Sequence, residues 1–231
     1  ANRVPSSAMD DLVRITDVSP RDGLQNEPGI IPTQDKLELI RLLCHTRVDQ
    51  IEITSFVSPK WVPQLADAAS IIEGVCDIAV HDFKGTPPNQ YIALIPNVKG
   101  LEALDAAETK AVKYEVEVFQ PPVVSTIALF ASASETFSQR NINATIEESF
   151  DRFRLVQQLP RSARAIRGYV SCAIACPFEG PIKPQAVADV AARFADLGVT
   201  EIDLGDTIGA GTPETVVAML EAVEQRIGRK W

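Results

Sequence analysis

Short apolar, β-branched runs alternate along this chain with longer stretches in which apolar residues recur every three or four positions. Val13, Ile15 and Val18 make the first run and predict a strand. After Pro32-Thr33, Leu37, Ile40 and Leu43 fall at helical spacing, with Thr33 suited to the N-cap. Residues 50–54 predict a second strand with Glu52 near its end. Ser58-Pro59 predicts a short helix, Ser as cap and Pro at the first helical position, and a longer helix is expected over 64–73. A third strand is expected over 91–95, ended by Pro96-Asn97, and a helix from about 99 to 109.

The middle of the chain is less regular. Val116-Glu117-Val118-Phe119 and Ile127-Ala128-Leu129-Phe130 both read as strands, with Pro121-Pro122 between them. Thr145-Ile146-Glu147-Glu148 is a capping box opening a helix whose Ile146, Phe150 and Phe153 share one face. A fifth strand is expected over 165–171. The helix over 184–197 buries Val187, Val190, Ala191 and Phe194, and Gly198 stops it. A sixth strand follows over 200–204, and Thr212-Pro213 starts the last helix, which runs to about Arg226. Strand starts recur roughly every 35–40 residues, the period of a strand-helix unit. That makes about six units where a closed barrel of parallel strands has eight. The predicted fold is therefore α/β, a TIM (β/α)8-type barrel that is incomplete, spanning 1–231 as one domain.

Composition narrows the classes. With 231 residues, 45% of them hydrophobic, the chain can bury one good core. It contains no apolar run long enough to span a membrane. A net charge of −9 argues against a nucleic-acid partner, yet leaves room for an anionic small substrate if a few cations converge on one pocket. Cys44, Cys76, Cys172 and Cys176 are too scattered for a disulfide framework and point to a reducing compartment. Cys172 and Cys176 read as a structural pair, Cys44 and Cys76 as packing residues. His45 and His81, at a helix end and in a loop, read as surface residues. The first 11 residues, without a signal-peptide core or an Arg-rich transit helix, are expected to be disordered.

Chemistry concentrates where the first strand ends, at Ser19-Pro20-Arg21-Asp22-Gly23-Leu24-Gln25-Asn26-Glu27. In α/β proteins the carboxyl ends of strands open onto the face where ligands bind. Arg21 offers a planar, permanent cation to an enolate or carboxylate oxygen. Asp22 offers a hard oxygen donor to a divalent cation. Gly23 would permit a sharp turn that aims both inward. Gly209-Ala210-Gly211, ahead of a helix, lacks phosphate-loop spacing and reads as a tight turn.

The string Arg21-Asp22-Gly23-Leu24-Gln25-Asn26-Glu27 resembles the signature of the 3-hydroxy-3-methylglutaryl-CoA lyases, a family in the metal-dependent lyase and Claisen-condensing superfamily of TIM barrels. Similar likenesses are carried by Glu52-Ile53-Thr54-Ser55-Phe56-Val57-Ser58-Pro59-Lys60-Trp61-Val62-Pro63-Gln64, by Pro96-Asn97-Val98-Lys99-Gly100, by Arg167-Gly168-Tyr169-Val170-Ser171-Cys172-Ala173 and by Gly205-Asp206-Thr207-Ile208-Gly209-Ala210-Gly211-Thr212-Pro213. The resemblance covers Leu12 to about Glu221. It implies cleavage of an acyl-CoA substrate, 3-hydroxy-3-methylglutaryl-CoA, to acetyl-CoA and acetoacetate, with Arg21, Glu52 and Asp206 as catalytic residues. It also implies that Arg21, Gln25, Ser55 and Tyr169 hold the substrate, and that Asp22 binds Mg²⁺ or Mn²⁺. The family places one strand before an Ala-Ser-Glu string like Ala133-Ser134-Glu135, so residues 113–127 are expected to hold an insertion. The family's His-x-His metal ligands and Gly-rich Cys loop have no counterpart in this chain, which leaves the cation site incomplete and predicts little or no lyase activity from this chain alone. Alternatives are a related aldolase, an acyl-CoA-condensing synthase or a non-catalytic fragment. The exposed edges of a six-stranded sheet predict association into homo-oligomers. Eukaryotic members imply a mitochondrial matrix location, bacterial members a cytoplasmic one.

Overall fold

The structure, a computed structural model, describes residues 13–46, 48–83, 89–111, 122–159 and 164–228. The expected disorder at 1–11, the expected strand at 116–119 and most of the expected insertion at 113–127 lie outside these residues.

Six strands form one parallel sheet in chain order, each hydrogen-bonded to the next. They are β1 (Thr16–Asp17), β2 (Gln50–Ser55), β3 (Gln90–Leu94), β4 (Val124–Ser132), β5 (Ala165–Ser171) and, after a small antiparallel ribbon of β6 (Ala175–Cys176) and β7 (Gly180–Pro181), β8 (Glu201–Leu204). Helices α1 (Thr33–Cys44), α2 (Ala68–Phe83), α3 (Val98–Ala111), α4 (Glu135–Ile142), α5 (Ile146–Gln158), α6 (Pro184–Asp196) and α7 (Pro213–Ile227) fill the connections.

The sheet is curled. In a flat sheet β5 and β1 would lie four strand spacings apart, roughly 19 Å, beyond the reach of their side chains. Yet Arg167 Nη2 on β5 donates to Thr16 Oγ1 on β1 at 3.1 Å. The period of two along each strand then sorts side chains onto two faces. Ile51, Ile53, Ile127, Leu129, Ile166 and Val170 point outward into the main core beneath the helices. Gln50, Glu52, Arg167 and Tyr169 point inward with Ile92, Leu94 and Ala128.

Several local expectations change. The first strand is only Thr16–Asp17, because Val13 and Ile15 are 86% and 55% exposed and find no core to pack on. Thr33 does not cap α1; its hydroxyl donates to Asp67 Oδ2 at 2.8 Å, and Pro32 stands at the cap. Ser58-Pro59 makes a turn, and a 3-10 turn at Pro63–Leu65 precedes α2. Helix α2 covers Ala68–Phe83, so His81 is helical and exposed. Strand β4 begins at Val124, within the expected insertion, because Glu108 Oε1 accepts from the Val124 backbone N–H at 2.9 Å. A helix unmarked by the pattern, α4, is capped by the Ser134 hydroxyl, which accepts from Phe137 N. The capping box at Thr145 and Glu148 forms as read. All four cysteines are buried free thiols.

Candidate functional site

The site begins with a backbone detail. Ser19–Gly23 coils into a π-helical turn in which the carbonyl of Val18 accepts from the amides of Arg21, Asp22 and Gly23. Asp17 Oδ1 ties its start, accepting from Ser19 N at 2.8 Å and Ser19 Oγ at 2.6 Å. Such wide turns are frequent at functional sites. Here the turn rolls Arg21 inward until it is 8% exposed while Asp22 stays exposed. Gly23 is not needed for a left-handed turn: a Cβ there would meet only Ser19 Cβ, at an ordinary 3.5 Å.

Arg21 faces Glu52, which lies mid-strand on β2 and is fully buried. Nε donates to Glu52 Oε1 at 2.8 Å and Nη2 to Oε2 at 3.3 Å, a two-pronged pair. The third arm, Nη1, donates to Asp22 Oδ1 at 2.6 Å. Burial works against the Arg21 charge, but Glu52 and then Asp22 outweigh it, and its pKa is raised. Tyr169 closes the group from β5. Its hydroxyl donates to Glu52 Oε2 at 2.6 Å and its ring lies 5.8 Å from the Arg21 guanidinium carbon. Burial, reinforced by the Glu52 charge, pushes the Tyr169 phenol up, so it stays a proton donor at neutral pH.

A cavity of about 740 Å³ opens above this cluster. Arg21, Asp22, Gln25, Ser55, Tyr169 and Asp206, six of the residues singled out from the sequence, line it, and Glu52 lies beneath it as the partner of Arg21. Ser55 Oγ donates to the Leu94 carbonyl at 3.3 Å and accepts from Val57 N at 3.3 Å. Asp206 is committed to its own loop: Oδ1 accepts from Ala210 N at 3.1 Å and Oδ2 from Gly211 N at 2.7 Å. Those bonds hold the Gly209-Ala210-Gly211 turn, with Gly209 at φ +65°.

Sequence reading missed Asp203. It sits opposite Tyr169 in the ladder and faces the cavity. Its carboxyl pKa is raised by desolvation, which the attraction of Arg167 and Arg21 only partly offsets. The side chain is open to the cavity, and the protein atoms packed around it supply the partial desolvation. Its signal was the alternation Glu201-Ile202-Asp203-Leu204, which places both acids on the face away from the helices.

Metal chemistry needs several oxygen or nitrogen donors around one point. Asp22 supplies one carboxylate, already engaged by Arg21, and the described residues contain no cluster of three or more His, Cys, Asp or Glu able to hold an ion. These side chains do not by themselves fit a divalent cation.

A curled parallel sheet with a paired guanidinium and carboxylate at its mouth defines a TIM-barrel-type α/β enzyme fold with its ligand site at the strand ends. The chain belongs to the HMGL-like family, whose pattern matches residues 12–231. It is 45% identical over 228 residues to the mitochondrial hydroxymethylglutaryl-CoA lyase of Macaca fascicularis, covering 97% of this chain and 63% of that protein. The HMG-CoA lyase structure from Brucella melitensis superposes with a TM-score of 0.79 at 46% identity, covering 93% of this chain and 68% of that one. An HMG-CoA lyase from Acenitobacter baumannii, solved in complex with coenzyme A and 3-methylmalate, gives a TM-score of 0.79 at 31% identity over 94% of this chain and 64% of that one. The chain thus spans under two thirds of the length of the curated relative.

Proposed function

We propose that this chain carries the arginine-bearing part of a carbon–carbon lyase site that binds 3-hydroxy-3-methylglutaryl-CoA and directs its cleavage to acetyl-CoA and acetoacetate. The observation that carries the reading is the buried Arg21–Glu52–Tyr169 cluster at the floor of the cavity, in a chain of the HMGL-like family. Cleavage removes the proton of the tertiary hydroxyl, breaks the adjacent carbon–carbon bond and leaves the acetyl-CoA enolate, which is then protonated. Arg21, with its charge held by Glu52, would stabilise the thioester oxygen as negative charge develops there. Tyr169 keeps Glu52 in place and Glu52 aims the guanidinium, so the fork is preorganised rather than recruited. Gln25 and Ser55 would hydrogen-bond the substrate, and Asp203 or Asp206 would handle a proton at the cavity wall.

A divalent cation, Mg²⁺ or Mn²⁺, would supply further charge stabilisation in a lyase of this class, but Asp22 alone does not make its site. Hence little or no turnover is expected from this chain alone. By likeness to the mitochondrial relative, the compartment proposed is the mitochondrial matrix, with the cytoplasm as the alternative. The lyase reading is favoured over an aldolase or a condensing synthase by the family pattern.

The test is calorimetric titration of the full chain with 3-hydroxy-3-methylglutaryl-CoA, beside a turnover assay with added Mg²⁺. Saturable binding that Arg21→Gln abolishes is the expected result. An absence of binding overturns the reading, and turnover at the rate of a competent lyase overturns the expectation of inactivity.

A further inference from the structure

The cavity is lined by two cations, Arg21 and Arg152, among the described residues, and they differ in one respect. Arg21 is held in place by three hydrogen bonds, one from each of its nitrogens, to Glu52 and Asp22, which leaves one N–H on each terminal nitrogen. Arg152, on α5, makes no ion pair, hydrogen bond or ring contact among the described residues, while each of the other described arginines has one. The reason lies in the helix. An acid four positions before an arginine is its natural helical partner. For Arg152 that residue is Glu148, whose carboxylate is turned back to accept from Thr145 N at 2.8 Å in the capping box. The neighbouring Asp151 is taken by Arg154. The fold therefore leaves one half-buried guanidinium uncommitted, on the wall of a cavity that also holds Asp22, Asp203 and Asp206, in a chain of net charge −9.

An uncommitted cation in so acidic a setting is placed for an incoming anion. We infer that Arg152 is the docking point for the anionic oxygens of the ligand, a phosphate of the coenzyme or the free carboxylate of the acyl group. The assignment rests on the proposed acyl-CoA reading and adds a residue to it. Arg152 would act by binding, with Ser149, three positions before it on the same helix, and Asn141 also lining the cavity, while Arg21 remains dedicated to the thioester end.

The experiment titrates the full chain and its Arg152→Gln and Arg152→Lys variants with coenzyme A, which has phosphates and no acyl carboxylate. A parallel titration uses 3-hydroxy-3-methylglutarate, which has carboxylates and no phosphate. Loss of a charge-assisted fork is expected to weaken one of the two by about tenfold or more in Arg152→Gln and to flatten its salt dependence, with Arg152→Lys in between. Weakening of coenzyme A identifies the phosphate as the anion, and weakening of the dicarboxylate identifies the carboxylate. Thermal melting should not move, since Arg152 holds nothing in the free chain. If the wild type binds either compound and Arg152→Gln binds both equally well, the subsite is refuted and the acyl-CoA reading stands. If the wild type binds neither, the acyl-CoA reading falls and takes the subsite with it.

Discussion

At the scale of single residues, the site is an electrostatic arrangement whose parts depend on each other. Breaking a buried ion pair costs more than the pair contributes, because the surviving charge stays buried. Glu52→Gln should therefore destabilise the fold by about 3 kcal/mol, read by denaturant unfolding, whereas Asp22→Asn, on the exposed side of the same guanidinium, should cost under about 1 kcal/mol. Equal costs would mean that Glu52 is not the partner that keeps Arg21 in place. Asp203 supplies a pH test. Its carboxyl binds a proton more readily in the fold than in the unfolded chain. The penalty it imposes is thus absent below its unfolded value of about 4, grows as pH rises from there, and is full once pH has passed the raised folded value. Asp203→Asn should raise the melting temperature at pH 7, with the gain vanishing as pH falls below about 4; a gain constant with pH would refute desolvation as the cause. Legibility at this scale was uneven. Arg21 and Asp22 stood out because they share one short string, but Arg21–Glu52 joins residues 31 apart through the pairing of β1 with β2, and Glu52–Tyr169 joins residues 117 apart that only the curl of the sheet brings together. Asp206 lines the cavity, and its carboxylate also accepts from two loop amides, a task that no local pattern announces.

At the scale of elements, hydrophobic period located most strands and helices, because each buries one face against the shared core. Strand β5 over 165–171 and the capping box of α5 match their sequence signals residue for residue. What failed was local chemistry overridden by tertiary partners: Thr33 gives its hydroxyl to Asp67 rather than to a helix amide. The π-helical turn at Ser19–Gly23 has no periodic signal at all, since five residues are too few to show one. Close packing between elements is equally hidden in sequence, and Gly168 shows where it matters. A Cβ on Gly168 would lie 2.7–2.9 Å from ring atoms of Phe194. That ring cannot retreat, being fully buried, with Phe150 and Phe153 at centroid distances of 4.9 Å and 5.9 Å. Gly168→Ala should cost about 1–3 kcal/mol by overpacking β5 against α6. Gly29→Ala, where nothing lies within 4 Å, should stay within about 0.5 kcal/mol. Comparable melting temperatures for the two variants would show that the β5–α6 contact yields to an added methyl group.

At the scale of the whole molecule, the sheet curls far enough to bring β5 to β1 and β2 yet remains open: β1 and β8 each have a strand on one side only among the described residues. An unpaired strand edge presents amides and carbonyls that another chain can satisfy. β1 is two residues long and offers little, whereas β8 offers four, and beside it α7 is only half committed. Met219, Ala222 and Val223 of that helix are buried, while Val217 and Leu220, one turn apart, are 52% and 49% exposed. An apolar pair beside an open edge favours self-association, opposed by the net charge of −9 and by Glu221 and Glu224 on the same helix. Two exposed aliphatic side chains at half their area are worth only about 1–2 kcal/mol, too little for a permanent dimer. The balance predicts weak, reversible association that strengthens with added salt, since screening removes repulsion and leaves the apolar contact. Sedimentation velocity across concentration should show it, and Val217→Lys with Leu220→Lys should return the chain to a single monomeric species. A wild-type chain that stays monomeric at high concentration and high salt would mean that the β8 edge and the α7 face do not act as an adhesive surface.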